Sequence, residues 1–319
     1  MSITKLAAGF AVSLIAVLAV MPGFIEYLKK LSLRQTINEY ALEDDKKKAG
    51  TPIMGGILFI LFPIAATVLL CLDSVADMEI WIILLAFAGY GIIGFIDDYL
   101  IAIKKNNDGL RPKQKFALQF ILAVVFFLLY RTHAETTVNL FGWTVELGIF
   151  YSILILFMFT GSSNAVNLTD GMDGLAAGCS VFAVAAYLVI AWVQGKTGVA
   201  VFCASLIGGL FGYLYYNKKP ARVFMGDTGA LALGGVLAAL AMITKTELCL
   251  VLIGGIFVIE TMCVIIQQVS VRTGHGKVFV YTPIHYAFRI KGMKEVNIVR
   301  MFWCVEAVLA ALGLFAAIH

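Results

Sequence analysis

The sequence predicts an all-α polytopic integral membrane protein of about ten transmembrane helices, and three observations carry that prediction. Of 319 residues, 61% are hydrophobic and 14% charged, with a mean hydropathy of +0.92; an ordinary soluble domain carries roughly 25% charge. Apolar runs near the length that crosses a bilayer, about 20 residues, recur along the whole chain. Lys and Arg collect in alternate connections between these runs. No linker-like composition interrupts the pattern, so residues 1–319 read as a single domain.

In chain order the spans are expected near 3–28, 53–71, 79–101, 115–131, 147–162, 174–193, 198–216, 229–244, 248–269 and 297–317. The first has only Lys5 ahead of it and stays apolar through Pro22 to Tyr27, so it reads as a retained helix and not a cleaved leader. Short turns at Gln194-Gly195-Lys196 and Thr244-Lys245-Thr246-Glu247 separate tightly spaced neighbours. Loops 29–52, 102–114, 217–228 and 270–296, with Lys115 and Arg300 at the adjoining helix ends, hold 20 of the 24 Lys and Arg. The positive-inside rule then puts those loops in the cytoplasm and both termini outside.

The six cysteines are scattered, mostly within apolar runs, and form no C-x-x-C pair, so they read as small core residues and not as a disulfide framework or zinc site. No inverted repeat is evident, and most acidic residues sit at helix ends instead of mid-membrane. Both facts argue against a secondary transporter whose acidic loops bind cations. Glu260 and Glu306 are the exceptions, expected to face polar partners inside the bundle. Nothing in the chain points to a nucleic-acid partner.

The acidic residues and histidines Asp97, Asp98, Asp170, Asp173, Asp227, His275 and His285 all fall on the Lys- and Arg-rich side. The longest polar stretch among them, Ser162-Ser163-Asn164-Ala165-Val166-Asn167-Leu168-Thr169-Asp170-Gly171-Met172-Asp173-Gly174, lies where one apolar run ends and another begins. Polar groups left unpaired in hydrocarbon cost several kcal/mol each, so these must line water, a ligand or a protein cavity. A capped helix start accounts for Thr169 or Asp170, but not for Asn164, Asn167 and Asp173 as well.

Five further motifs share that face. Gly94-Phe95-Ile96-Asp97-Asp98-Tyr99 closes the third span, and adjacent helical positions point about 100° apart, so its two carboxylates need not share one ligand. Val223-Phe224-Met225-Gly226-Asp227-Thr228-Gly229 precedes the eighth; Asp227 reads either as a helix cap or as a ligand, and Phe224 offers a flat face for a base. Lys48-Ala49-Gly50-Thr51-Pro52 and Gly109–Lys115 bring lysines to helix entries, as topology markers or as phosphate contacts. Thr282-Pro283-Ile284-His285-Tyr286-Ala287-Phe288 places one histidine in the late loop. Carboxylates among lysines at one membrane face suit Mg²⁺, which takes one or two carboxylates plus substrate phosphates. The physics therefore points to Mg²⁺-dependent phosphoryl transfer at the membrane surface, with a membrane lipid as one substrate.

Together these motifs resemble the polyprenyl-phosphate N-acetylhexosamine-1-phosphate transferase superfamily, and within it the phospho-N-acetylmuramoyl-pentapeptide branch. The resemblance runs in order from Lys48 to the last span. It implies ten transmembrane helices, a homodimer, Mg²⁺, and transfer of phospho-MurNAc-pentapeptide from UDP-MurNAc-pentapeptide to undecaprenyl phosphate in the bacterial cell membrane. The sister reaction with UDP-GlcNAc is the alternative. Residue by residue, it implies Asp227 as magnesium ligand and Asp97 and Asp98 as the essential acidic pair, with Asp98 meeting the lipid phosphate. It implies Asn167, Asp170, Gly171, Met172 and Asp173 near the nucleotide, Phe224 and Asn217 framing the base, Lys48 and Thr51 beside the uridine, and Lys115 and His285 as functional residues. Two positions depart from that pattern: Ile101 stands where a lysine is usual, and Tyr286-Ala287 where two more histidines are usual.

Overall fold

The computed structural model describes residues 3–31, 50–72, 77–104, 109–132, 135–140 and 143–319. Among these, nine helices are long and apolar enough to cross a membrane. They are α1 (Ile3–Lys30), α3 (Met78–Lys104), α4 (Pro112–Arg131), α5 (Tyr151–Thr169), α6 (Leu175–Val193), α7 (Thr197–Asn217), α8 (Gly226–Ile243), α10 (Gly255–Arg272) and α12 (Glu295–Ile318). The fold is therefore the expected all-α polytopic bundle.

The remaining expected span is α2 (Gly56–Leu70), apolar but only 15 residues long. Its rise is about 22 Å, short of the roughly 30 Å hydrocarbon core. An extended segment precedes it, paired with the run before α8: Phe224 N–H donates to Pro52 O (2.9 Å) and Gly55 N–H to Phe224 O (2.8 Å). Protein thus satisfies the backbone of this irregular segment.

Apolar length alone marks 248–269 as one span, whereas the chain breaks there into α9 (Leu250–Ile253) and α10 at Gly254-Gly255. The break frees helical N–H groups inside the bundle, and the buried Glu306 of α12 accepts one of them, from Ile256 N (2.8 Å). A short helix α11 (Ile284–Ile290) follows α10 in the late loop.

The centre of the bundle is α8, buried at every position from Thr228 to Ile243, with α7 beside it. Lipid tails are as apolar as leucine, so close packing, not hydrophobic transfer, holds such helices together, and small residues allow it. At the α3–α8 crossing a Cβ on Gly94 would stand 2.1 Å from the Asp227 carbonyl oxygen. The outer helices α1 and α12 instead expose Ile15 and Leu312 to the surroundings.

Between α4 and α5 lies a feature apolar periodicity does not mark: a two-stranded antiparallel hairpin, β1 (Thr137–Leu140) with β2 (Trp143–Glu146), Thr137 opposite Glu146. Lys245, from the turn after α8, holds it down. Its amine donates to Glu135 O and to Thr137 O (3.0 Å) and sits over the Tyr130 and Tyr151 rings at 4.9 and 4.8 Å.

Gly94→Val forces branched carbon into the α8 backbone and is expected to cost about 1–3 kcal/mol. Gly23→Ala, with open space around it, is expected to be neutral or slightly stabilising. Thermal unfolding in detergent checks the pair; equal melting temperatures would remove the close-approach argument.

Candidate active site

The acidic pair at the end of α3 divides its work by direction. Asp98 turns to the N-terminus of α8, where Met225 provides no side-chain cap. Its carboxylate accepts Asp227 N–H (3.0 Å), Thr228 N–H (3.0 Å) and the Thr228 hydroxyl (2.6 Å). Free helical N–H groups and the positive end of the helix dipole both favour an anion there. Gly226, at φ +70°, makes the approach possible, because a Cβ on it would lie 2.3 Å from an Asp98 oxygen.

Asp97 turns the other way, to the loop entering α4. It accepts Leu110 N–H (2.7 Å) and lies 3.7 Å from the Lys115 amine. Lys115 also donates to Asp227. Asp97 and Asp227 thus flank one ammonium group, and Asp98 lies beside them on the backbone N–H of Asp227.

A cleft of about 370 Å³ opens beside this cluster. Asp97, Lys115, Gln119 and Asn164 supply its polar wall, and Ile101 and Phe116 its apolar one. The amides are fixed by one another: Asn164 Nδ2 donates to Gln119 Oε1 (3.1 Å), and Gln119 Nε2 to the Ser163 hydroxyl (3.2 Å). Ile101, the position where the family pattern carries lysine, lines this cleft with hydrocarbon.

The polar stretch after α5 forms a turn braced from three sides. Asn167 and Asp170 are half-buried at the helix end, and Met172 and Asp173 are buried. Asp173 N–H donates to Glu295 Oε1 (3.0 Å), while Asp173 Oδ2 accepts Ala221 N–H (3.1 Å). Lys219 pairs with Glu295. Asn217 joins the two loops by accepting Gly174 N–H (2.9 Å) and donating to Val223 O (2.9 Å). Its amide therefore acts on the backbone of the turn and of the run leading to Phe224.

Over this turn lies α11. His285 is fully buried, its Nδ1 2.9 Å from Glu260 Oε1, and the Tyr286 hydroxyl donates to Gly171 O (3.2 Å). The His285 Nε2 has no partner. A Cβ on Gly171 would come within 2.3 Å of it.

The structure thus gathers Asp97, Asp98, Lys115 and Asp227 into one cluster and the 170–174 turn, Asn217 and His285 into a second. Thr51 is half-buried beside Pro52, whose carbonyl pairs with Phe224. Lys48 lies outside the described residues. The sequence motifs gave no site role to Glu295, Lys219 or Gln119. Glu295 was visible as the acid closing Gly292-Met293-Lys294-Glu295, and Lys219 was counted only for topology. Gln119 carried the better signal, an amide within an apolar span.

Among the described residues no three or more His, Cys, Asp or Glu stand together as a metal cage. The cluster still suits a hard cation. Its donors are all oxygen, and the Lys115 ammonium already stands as the positive charge between Asp97 and Asp227.

Asp98→Ala deprives three donors at the start of α8 of their acceptor and is expected to cost about 1–3 kcal/mol or more. Asp97→Ala, which faces the cleft, is expected to cost less. Melting temperatures of the two variants decide this, and a larger drop for the Asp97 variant would reverse the assignment.

The chain is similar in sequence to known proteins. The glycosyl transferase family 4 profile matches residues 80–245. A phospho-N-acetylmuramoyl-pentapeptide-transferase of Geobacillus kaustophilus (strain HTA426) is 46% identical over 310 residues, covering 96% of this chain and 95% of the relative. One of Bacillus mycoides (strain KBAB4) is 44% identical over 304 residues, covering 94% of each.

Proposed function

Because the chain belongs to glycosyl transferase family 4, among its phospho-N-acetylmuramoyl-pentapeptide-transferases, we propose that it makes lipid I. Phospho-MurNAc-pentapeptide passes from UDP-MurNAc-pentapeptide to undecaprenyl phosphate, and UMP leaves. The observation that carries this reading in the structure is the pairing of Lys115 with Asp97 and Asp227, the latter held through its backbone by Asp98, beside a cleft with one polar and one apolar wall. Such a cleft suits an amphiphile with an anionic head.

Asp227 is the magnesium ligand of this reading, with Asp97 in reach to join it. Bound Mg²⁺ would offset charge on the pyrophosphate and on the departing UMP. Asp98 orients Asp227 by holding the first N–H groups of α8, and this supports a positioning role for it instead of contact with the lipid phosphate. Asp97 and Lys115, which line the cleft, are the groups that meet the acceptor phosphate. An acceptor oxygen attacks the β-phosphorus as the bond to UMP breaks. A phosphate monoester has a second pKa near about 6, so the attacking oxygen is mostly ionised at neutral pH and needs no strong base.

The 170–174 turn, with Asn167 and Asp170 at its entry, forms the nucleotide side. Asp173, Gly171 and Met172 meet the uracil, and Phe224 and Thr51 flank it. Asn217 holds the two loops in register. His285 faces the sugar-phosphate through its free Nε2. The Lys and Arg distribution supports a cytoplasmic site in the bacterial cell membrane. A homodimer belongs to the same reading.

Purified protein with undecaprenyl phosphate and Mg²⁺ is expected to release UMP from UDP-MurNAc-pentapeptide and not from UDP-GlcNAc, with release lost on adding EDTA. Release from UDP-GlcNAc alone would move the chain to the sister reaction. Asp227→Asn is expected to stay folded and lose turnover by about 10²-fold or more; wild-type activity in that variant would sink the metal assignment.

A further inference from the structure

His285 is held by a residue that the reaction does not otherwise use. Glu260 is fully buried on α10. Its carboxylate accepts three hydrogen bonds, from Ile284 N–H (2.7 Å), His285 N–H (3.2 Å) and His285 Nδ1 (2.9 Å). The first two start α11, where Pro283 provides no side-chain cap. The third fixes the imidazole.

A carboxylate is acceptor-only, so the hydrogen of a neutral imidazole facing it must sit on Nδ1, and Nε2 keeps its lone pair. That nitrogen is a buried atom without a hydrogen-bond partner, turned to the Gly171 turn. A buried polar atom left unpaired costs about 1–3 kcal/mol, and a site retains one where a ligand completes it. One helix lends a carboxylate, the next lends a ring, and the ring's free nitrogen points at the nucleotide-sugar side.

We infer that Glu260 is a positioning residue of the transferase site: it presents His285 to the substrate as the Nδ1–H tautomer, with Nε2 as a hydrogen-bond acceptor. The inference rests on the proposed function, and it explains why a carboxylate is kept inside a membrane helix, where charge is expensive. It also gives a reason for one histidine sufficing where the family pattern has three. Tyr286 bonds to Gly171 O and packs its ring 4.3 Å from the imidazole, Ala287 is buried, and Glu260 supplies the hydrogen bond that sets the tautomer.

The test combines spectroscopy with a mutant cycle. In ¹⁵N-histidine-labelled wild-type protein in detergent, with the His285 signal assigned by its loss in His285→Gln, Nδ1 is expected to be protonated and Nε2 bare. Glu260→Gln keeps the shape but sets an amide N–H₂ against at least one donor, and is expected to shift the ring toward the Nε2–H form. It should lower kcat by about 10- to 100-fold with the KM for UDP-MurNAc-pentapeptide within about twofold. In a His285→Gln background the same change should cost nothing further, whereas a purely structural role would cost as much in either background. Wild-type kcat in Glu260→Gln, an equal loss in both backgrounds, or an Nε2–H ring in the wild type would each overturn the inference. If wild-type protein releases no UMP from either donor, the functional reading fails, while the ring spectrum still decides the tautomer. If Glu260→Gln does not fold, the wild-type spectrum decides alone.

Discussion

The bond on which the site depends joins Asp98 to the first residues of α8. A central helix begins at this end with unpaired N–H groups and no local cap, and a carboxylate from α3 supplies the acceptor. Glycine at 94 and 226 lets the two helices approach closely enough for that bond. Once it forms, Asp227 has one orientation, Lys115 can reach both Asp227 and Asp97, and the cleft has its polar wall. Charge that would be costly as isolated ions becomes a compact group of opposite signs at the membrane boundary.

The same economy recurs along the interior. Glu306 accepts an N–H freed where α9 gives way to α10, and Glu260 accepts those that begin α11. Asn217 and Glu295 do this for the turn after α5. Each of these four groups serves backbone that regular helix cannot satisfy. Irregular backbone in a membrane protein is confined to where protein or ligand can complete it; the extended run before α2 and the polar turn lie at the Asp227 end of the bundle, while the break at Gly254-Gly255 lies toward the other end of α8.

Composition and spacing made the fold legible: apolar runs of spanning length leave little alternative to helices. The acidic motifs and their shared face were legible too, since carboxylates at helix ends stand out against hydrocarbon. Direction was not. Asp97 and Asp98 are neighbours in sequence, and only the packing of α3 against α8 shows that one grips a helix while the other lines the cleft. The break at Gly254-Gly255 was hidden because apolar length cannot register a change of helix axis. The hairpin was hidden because its strands are four residues each. Glu260 was visible as an oddity, a carboxylate within a span, but its partner lies 25 residues later in a loop.

Gly171 bears on how the site can change under selection. Any side chain there collides with the His285 ring and the Tyr286 hydroxyl together. A ligand that takes its grip from the backbone of this turn would lean on a position with no side chain to exchange. Escape would have to come from elsewhere in the pocket.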